Sequence, residues 1–298
     1  MRIRGFVVAI AIVTLEAAPA WAWGTHAHRV IMGRAIDMLP AAVKSFFDHF
    51  RGELVDRAID PDVWRTAGWD ENPNHFLNFG VPEYGPPPFV ALPREYGAAI
   101  EKFGMTTLKH NGVVPWREAE EFGNLRRALE SIRQHGSYGP GDVIVFAAAA
   151  SHYIQDAHQP FHATNNWDGQ LTGQLGIHER FESAAFDRFE SRLTISPPPV
   201  KAITNPRDAV FEILLASYEL VPPVLEADRA AVQGKAEYDD DYYEKFFVRV
   251  KPILERRIGE SIAATASLIV GAWEAAGKPE LPTEIPRTVQ KVRPPKAD

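Results

Sequence analysis

The stretch Ala150–Glu182 reads ASHYIQDAHQPFHATNNWDGQLTGQLGIHERFE. His152 and Asp156 stand four apart, as do His178 and Glu182. On a helix that step puts two side chains on one face, one turn apart. Each pair is therefore spaced to grip a metal ion from a rigid support. Proline disfavours helix at the residue before it, so Gln159-Pro160 predicts that the first helix ends there and turns before His162. Nitrogen and oxygen donors on two helices and the turn between them point to a multi-metal site.

Upstream, Gly139-Pro140-Gly141-Asp142 reads as a helix start, and the helix it opens carries Val143 to His158. It is apolar on most sides through Val145–Ala150, which predicts a central position. Downstream, Ile177–Leu193 reads as helix up to Ser196-Pro197-Pro198-Pro199. Further helical patterns cover Thr25–Leu39, Ala41–Phe50, Leu54–Arg65 with a break at Asp60-Pro61, Pro93–Phe103, Trp116–Gln134, Asp208–Glu226 and Tyr242–Gly277. Thr66–Leu92 is loop-like, broken by Gly68, Gly80, Gly85 and Pro86-Pro87-Pro88. No strand-period hairpin, repeat or linker interrupts this pattern. The expected fold is all-α, one multi-helix domain over residues 23–277. Residues 278–298 form a Pro-rich, charged tail.

Composition narrows the chemistry. The chain has 298 residues, 45% of them hydrophobic, enough for one large core. Its formal charge is −7, and no basic stripe marks a surface for stable capture of duplex DNA. It has no cysteine, which rules out disulfides and thiolate sites. Any metal must be held by imidazole and carboxylate, a donor set that suits catalytic zinc.

Residues 1–22 read as a secretory signal. Arg2 and Arg4 precede the apolar run Gly5–Leu15, and Ala20-Trp21-Ala22 is a small-x-small cleavage site. The expected location is secreted or periplasmic, with Trp23 as the new N-terminus. The apolar run Ser261–Trp273 is short, which predicts a buried helix; no transmembrane segment is expected in the mature chain.

The remaining donors lie outside the central stretch. After cleavage, the Trp23 amine and its own carbonyl can chelate a metal, and His28 follows five residues on. With Asp62, His75-Phe76, His152, Asp156, His162, His178 and Glu182, this order resembles the zinc-dependent phospholipase C and S1/P1 nuclease family. The resemblance spans nearly the whole mature chain. It implies an all-α phospholipase C/P1 nuclease-type domain with three zinc ions. One would be held by Asp62, His75, His152 and a shared Asp156. A second would take the Trp23 amine and carbonyl, His28 and Asp156, and a third His162, His178 and Glu182. Asp60 is the rival to Asp62. Asp62 is preferred because Arg65 then stands where the nuclease branch has a phosphate-binding arginine.

The resemblance further implies a phosphodiester hydrolase in which metal-bound hydroxide attacks phosphorus in line. Asp62, Asp156 and Arg65 would be its catalytic residues. Phospholipase C-like activity is the first expectation, and an S1/P1-type single-strand nuclease the alternative. A non-catalytic zinc-binding periplasmic protein is the alternative of another class. Two departures bear on substrate. Asn78 stands where both branches usually carry aspartate, and the acidic choline-holding residue of phospholipases has no counterpart, with His26 nearby instead. Of the other histidines, His49, His110 and His135 read as surface or packing residues, while His26 and His158 lie near enough in sequence to shape a pocket. Asp239-Asp240-Asp241 reads as a solvated helix start.

Overall fold

Helix Pro140–Ala157 runs through the centre of the molecule and carries His152 and Asp156. The computed structural model describes residues 23–284. The signal expected at 1–22 and the last fourteen residues of the tail lie outside the described residues. In chain order the helices are α1 (Thr25–Asp37), α2 (Ala41–His49), α3 (Arg51–Arg57), α4 (Asp60–Thr66), α5 (Tyr96–Phe103), α6 (Met105–Asn111), α7 (Val114–Arg133) and α8 (Pro140–Ala157). Then α9 (Ile177–Glu179) passes through a π turn at Arg180–Ala184 into α10 (Ala185–Phe189). Finally come α11 (Pro206–Tyr218), α12 (Val221–Val232) and α13 (Asp240–Ala275). The fold is all-α; no strand forms among the described residues, and Phe79 and Thr164 make an isolated parallel bridge.

The start of α8 follows from its sequence. Pro140 occupies the first turn, where its missing N–H costs nothing, and the Asp142 carboxylate accepts from the Gly139 amide at 2.8 Å. Ala147–Ala150 are buried, and small side chains there let α7 and α13 pack closely on either side. The helix stops at Ala157, and Gln159 is extended before Pro160, as the proline requires. Its last carbonyls find donors in the core. Ser217 Oγ donates to Ala157 O at 2.6 Å, and buried Arg257 Nε donates to His158 O at 2.9 Å. The Arg257 cation also sits at the negative end of the helix dipole.

Several boundaries differ from the sequence reading. The stretch read as one helix over Asp208–Glu226 is two, α11 and α12, parted at Glu219-Leu220. Helix α6 falls where no helix was expected, closed off by Gly104 and Gly112, both at positive φ. Ile177–Leu193 is not uniform helix, because the π turn widens it just at Glu182. The break near Asp60-Pro61 is real, with Pro61 in the first turn of α4. The run Ser261–Trp273 is largely buried within α13, and no helix among the described residues is long and apolar enough to cross a membrane.

The segment following His75 is zipped onto the turn that carries His162. Leu77 N donates to His162 O at 2.9 Å, and Asn165 N donates to Phe79 O at 2.8 Å. Behind it lies Gly112 (φ +90°), where a Cβ would fall 2.1 Å from the Phe76 carbonyl oxygen. Glycine is needed here for both space and backbone conformation. Gly112→Ala should therefore cost at least about 2 kcal/mol of stability. A chemical-denaturation midpoint unchanged from the parent would contradict this account.

Candidate metal centre

Three groups of buried donors meet beside α8: His28, His152 and Asp156; Asp62, His75 and His152; and His162, His178 and Glu182. Within each group the donor atoms lie within 4.8 Å of one another. Asp156 links the first two. Its Oδ1 is 3.3 Å from His28 Nε2, and its Oδ2 is 2.9 Å from His75 Nδ1 and 3.2 Å from His152 Nε2. Asp62 Oδ1 lies 3.9 Å from His75 Nδ1 and 4.0 Å from His152 Nε2. His178 Nε2 is 2.8 Å from Glu182 Oε2, and the His162 and His178 rings meet edge-on at 5.0 Å.

Hydrogen bonds on the far side of each ring set where its lone pair points. His152 Nδ1 donates to Ala58 O at 2.8 Å, His162 Nδ1 to His75 O at 2.6 Å, and His178 Nδ1 to Trp167 O at 2.9 Å. Carbonyl oxygens only accept, so in the neutral rings Nε2 carries the lone pair. His28 Nδ1 faces the Gln155 side-chain oxygen at 2.7 Å. Imidazoles oriented in this way are characteristic of metal ligands.

Several of the atoms facing inward have no hydrogen-bond partners. His28 Nε2, both Asp62 oxygens, Asp156 Oδ1, His178 Nε2 and Glu182 Oε1 are buried and unbonded. His178 Nε2 and Glu182 Oε2 stand 2.8 Å apart without hydrogen-bond alignment. Each buried orphan costs roughly 1–3 kcal/mol. A cation between such atoms satisfies them together, so the donors fit metal ions. Their hard oxygen and imidazole chemistry fits zinc among others.

Burial shapes the charges. The His162 ring is pushed down to about 3 and the His178 ring to about 4, chiefly by burial, so both are neutral and free to ligate at ordinary pH. Burial also lifts Glu182 well above the usual carboxylate range. Asp156 goes the other way: burial would raise it, but His152 beside it holds it well below that range.

The remaining sequence candidates also find places. Asp60 pairs with Arg57 at 3.0 Å on the flank of α4, whereas Asp62 is fully buried among the imidazoles. Arg65 stands one turn on, with Nη2 3.5 Å from Asp62 Oδ1. Trp23 is buried; its Nε1 donates to Gln155 O at 2.8 Å, one residue from Asp156. Gly24 lies against Ser183 of the π turn, so close that a Cβ would stand 2.6 Å from Ser183 Oγ. The start of the described chain is thus docked beside the donors. Cleavage before Trp23, which the amine chelate needs, concerns a bond at the edge of the described residues. His26 pairs with Glu190 at 2.7 Å in a half-exposed contact, and buried His158 donates to Ile154 O; neither joins the three groups. His49, His110 and His135 are exposed. Asp239 caps α13 through the Tyr242 amide.

Sequence reasoning passed over Gln155. One signal was available: a polar residue in a helix expected to be buried must have partners. The carbonyls of Ala58, His75 and Trp167, which orient the rings, carry no side-chain signature. No family model matches this sequence, and no curated protein matches it.

The charges predict how cation loading depends on pH. Burial pulls the His152 imidazole down, but Asp156 and Asp62 outweigh it and push it up to about 9 in the cation-free protein. A cation must displace that proton, so loading near pH 7 should release roughly one proton from this ring, and the release should fade above pH about 9. Calorimetric zinc titrations in buffers of different ionisation enthalpy measure it; identical heats near pH 7 would contradict the assignment. His162 and His178 act in the opposite sense. Their contribution to stability is intact above about 6.5 and is lost as pH falls toward 4 and then 3. The cation-free fold should therefore weaken on acidification across that window.

Proposed function

We propose that this chain is a zinc-dependent phosphodiester hydrolase of the phospholipase C/S1-P1 nuclease type, holding three zinc ions. The observation that carries the reading is the convergence of three buried donor groups, two of them sharing His152, with Asp156 of the first lying 2.9 Å from His75 of the second. The order of these donors along the chain, from His28 to Glu182, is the order that the resemblance implies. In the proposed arrangement Asp62, His75, His152 and Asp156 hold one ion. His28 and Asp156, with the Trp23 amine and carbonyl after cleavage, hold the second. His162, His178 and Glu182 hold the third.

Cations bound there would offset the charge of a phosphate diester and lower the pKa of water. The chain's own residues do the rest. Asp156, kept ionised, presents one oxygen to each neighbouring position. Asp62 offers acceptor oxygens that orient a water for in-line attack on phosphorus. The Arg65 guanidinium beside Asp62 is placed to donate two N–H bonds to the phosphoryl oxygens, a geometry lysine cannot reproduce. Neutral His178 and Glu182 complete the position that would face the leaving oxygen.

Lipid is the first substrate reading. The segments that carry the ligands expose large apolar side chains: Val63 and Trp69 after Asp62, and Trp167, Leu171 and Leu175 before His178. An apolar rim of this kind suits a phospholipid. A specific observation supports single-stranded nucleic acid as the second reading. The rings of Trp64 and Trp69 stack at 5.7 Å beside Arg65, with Trp69 61% exposed, a surface on which a base can lie.

Turnover of the purified chain, with and without chelator, on phospholipid, single-stranded DNA and bis-p-nitrophenyl phosphate tests the proposal. Hydrolysis that zinc restores after chelation is the expected result. Hydrolysis insensitive to chelator would overturn it, and the preferred substrate decides between the two readings. Asp156→Asn should lower kcat/KM by more than roughly 100-fold, the upper end of what outer-shell changes cost. Asp60→Asn should stay within a few fold.

A further inference from the structure

Gln155 holds one ring of the first donor group, that of His28. It is fully buried, and both side-chain polar contacts and one of its backbone contacts cross to other parts of the chain. Its side-chain oxygen lies 2.7 Å from His28 Nδ1, and its side-chain Nε2 donates to Thr265 Oγ1 on α13 at 3.4 Å. Its backbone carbonyl accepts from Trp23 Nε1 at 2.8 Å.

A glutamine amide can face either way, and the choice matters here. With Oε1 toward His28, Nδ1 carries the proton and Nε2 presents a lone pair beside Asp156 Oδ1, 3.3 Å away. With the amide reversed, its N–H would point at Nδ1. The ring proton would then move to Nε2, where it would bond to Asp156 and leave nothing for a cation. Thr265 Oγ1 accepts from the amide nitrogen in the competent orientation. The Gln155 carbonyl also ties down Trp23, so the residue holds both the His28 ring and the segment bearing it.

We infer that Gln155 is a positioning residue for the cation position at His28 and Asp156, acting through the tautomer of the His28 ring. This rests on the reading of the three groups as metal sites. It follows that occupancy of this one position depends on an acceptor oxygen at residue 155. The carbonyls that orient His152, His162 and His178 are fixed in the backbone, whereas the ring of His28 is oriented by a side chain. A carboxylate at 155 would still accept from Nδ1 and would make the ring a stronger donor.

The test compares the parent with Gln155→Leu and Gln155→Glu. Zinc stoichiometry and affinity are measured by chelator competition, and the His28 tautomer by 15N NMR of the cation-free protein. Gln155→Leu should weaken one zinc position by roughly 10–100-fold and spare the others. Gln155→Glu should restore that position or tighten it, and His28 in the parent should carry its proton on Nδ1. Gln155→Leu combined with His28→Gln should lose no more than His28→Gln alone. Should Gln155→Leu fail to fold, Gln155→Glu and the tautomer of His28 in the parent still decide the matter. A folded Gln155→Leu with every position at parental affinity, equal losses at all positions, or a parental His28 protonated on Nε2 would each overturn the inference. None of these readouts needs turnover, so a chain inactive on phosphodiesters would test it equally well.

Discussion

A buried carboxylate surrounded by imidazoles is the constraint on which the rest depends. Asp156 is fully buried with His28, His75 and His152 within 3.3 Å of its oxygens. Removing such a charge from water is costly unless something compensates for it. In the cation-free chain the protonated His152 ring does so, and a divalent ion would do so more completely. The surrounding architecture keeps these groups from relaxing apart. Helix α8 is held at its C-terminal end by Ser217 and Arg257, and the strand-like segment after His75 is bonded to the His162 turn. The first turn of α1 is held against α8 through Trp23.

The same geometry explains why so many polar atoms sit unbonded in an otherwise well-satisfied interior. Several of them lie where rings and carboxylates face one another, and the outer nitrogen of His28, His152, His162 and His178 is in each case committed to an oxygen. Orphaned inner atoms and satisfied outer ones together distinguish a ligand set from a poorly packed core.

Much of this could be read from sequence because it rests on local periodicity. The His152/Asp156 step, the stop at Pro160 and the central apolar face of α8 are all encoded within a few turns. The closeness of Asp62 and His75 to them was legible only through the family resemblance, since nothing local brings them there. The choice between Asp60 and Asp62 needed coordinates: both begin α4, and only the packed helix shows which faces Arg57 and which faces the rings. The π turn escaped because a widened turn has the same hydrophobic pattern as ordinary helix. Helix α6 and the gap between α11 and α12 were missed for a related reason. Short helices are fixed by what they pack against more than by propensity.

The place of Asp156, with one oxygen toward His28 and the other toward His75 and His152, has a thermodynamic consequence. An ion at His28 would draw on the same carboxylate as an ion at His75 and His152, so the two positions would not fill independently. Whatever factor the first occupant imposed on the affinity of the second, the second would return to the first. Mutual repulsion through the common anion would set that factor against the order that either ion confers on it. Occupancy of such a pair would be a joint property of the chain, with two stepwise constants that belong to neither site alone.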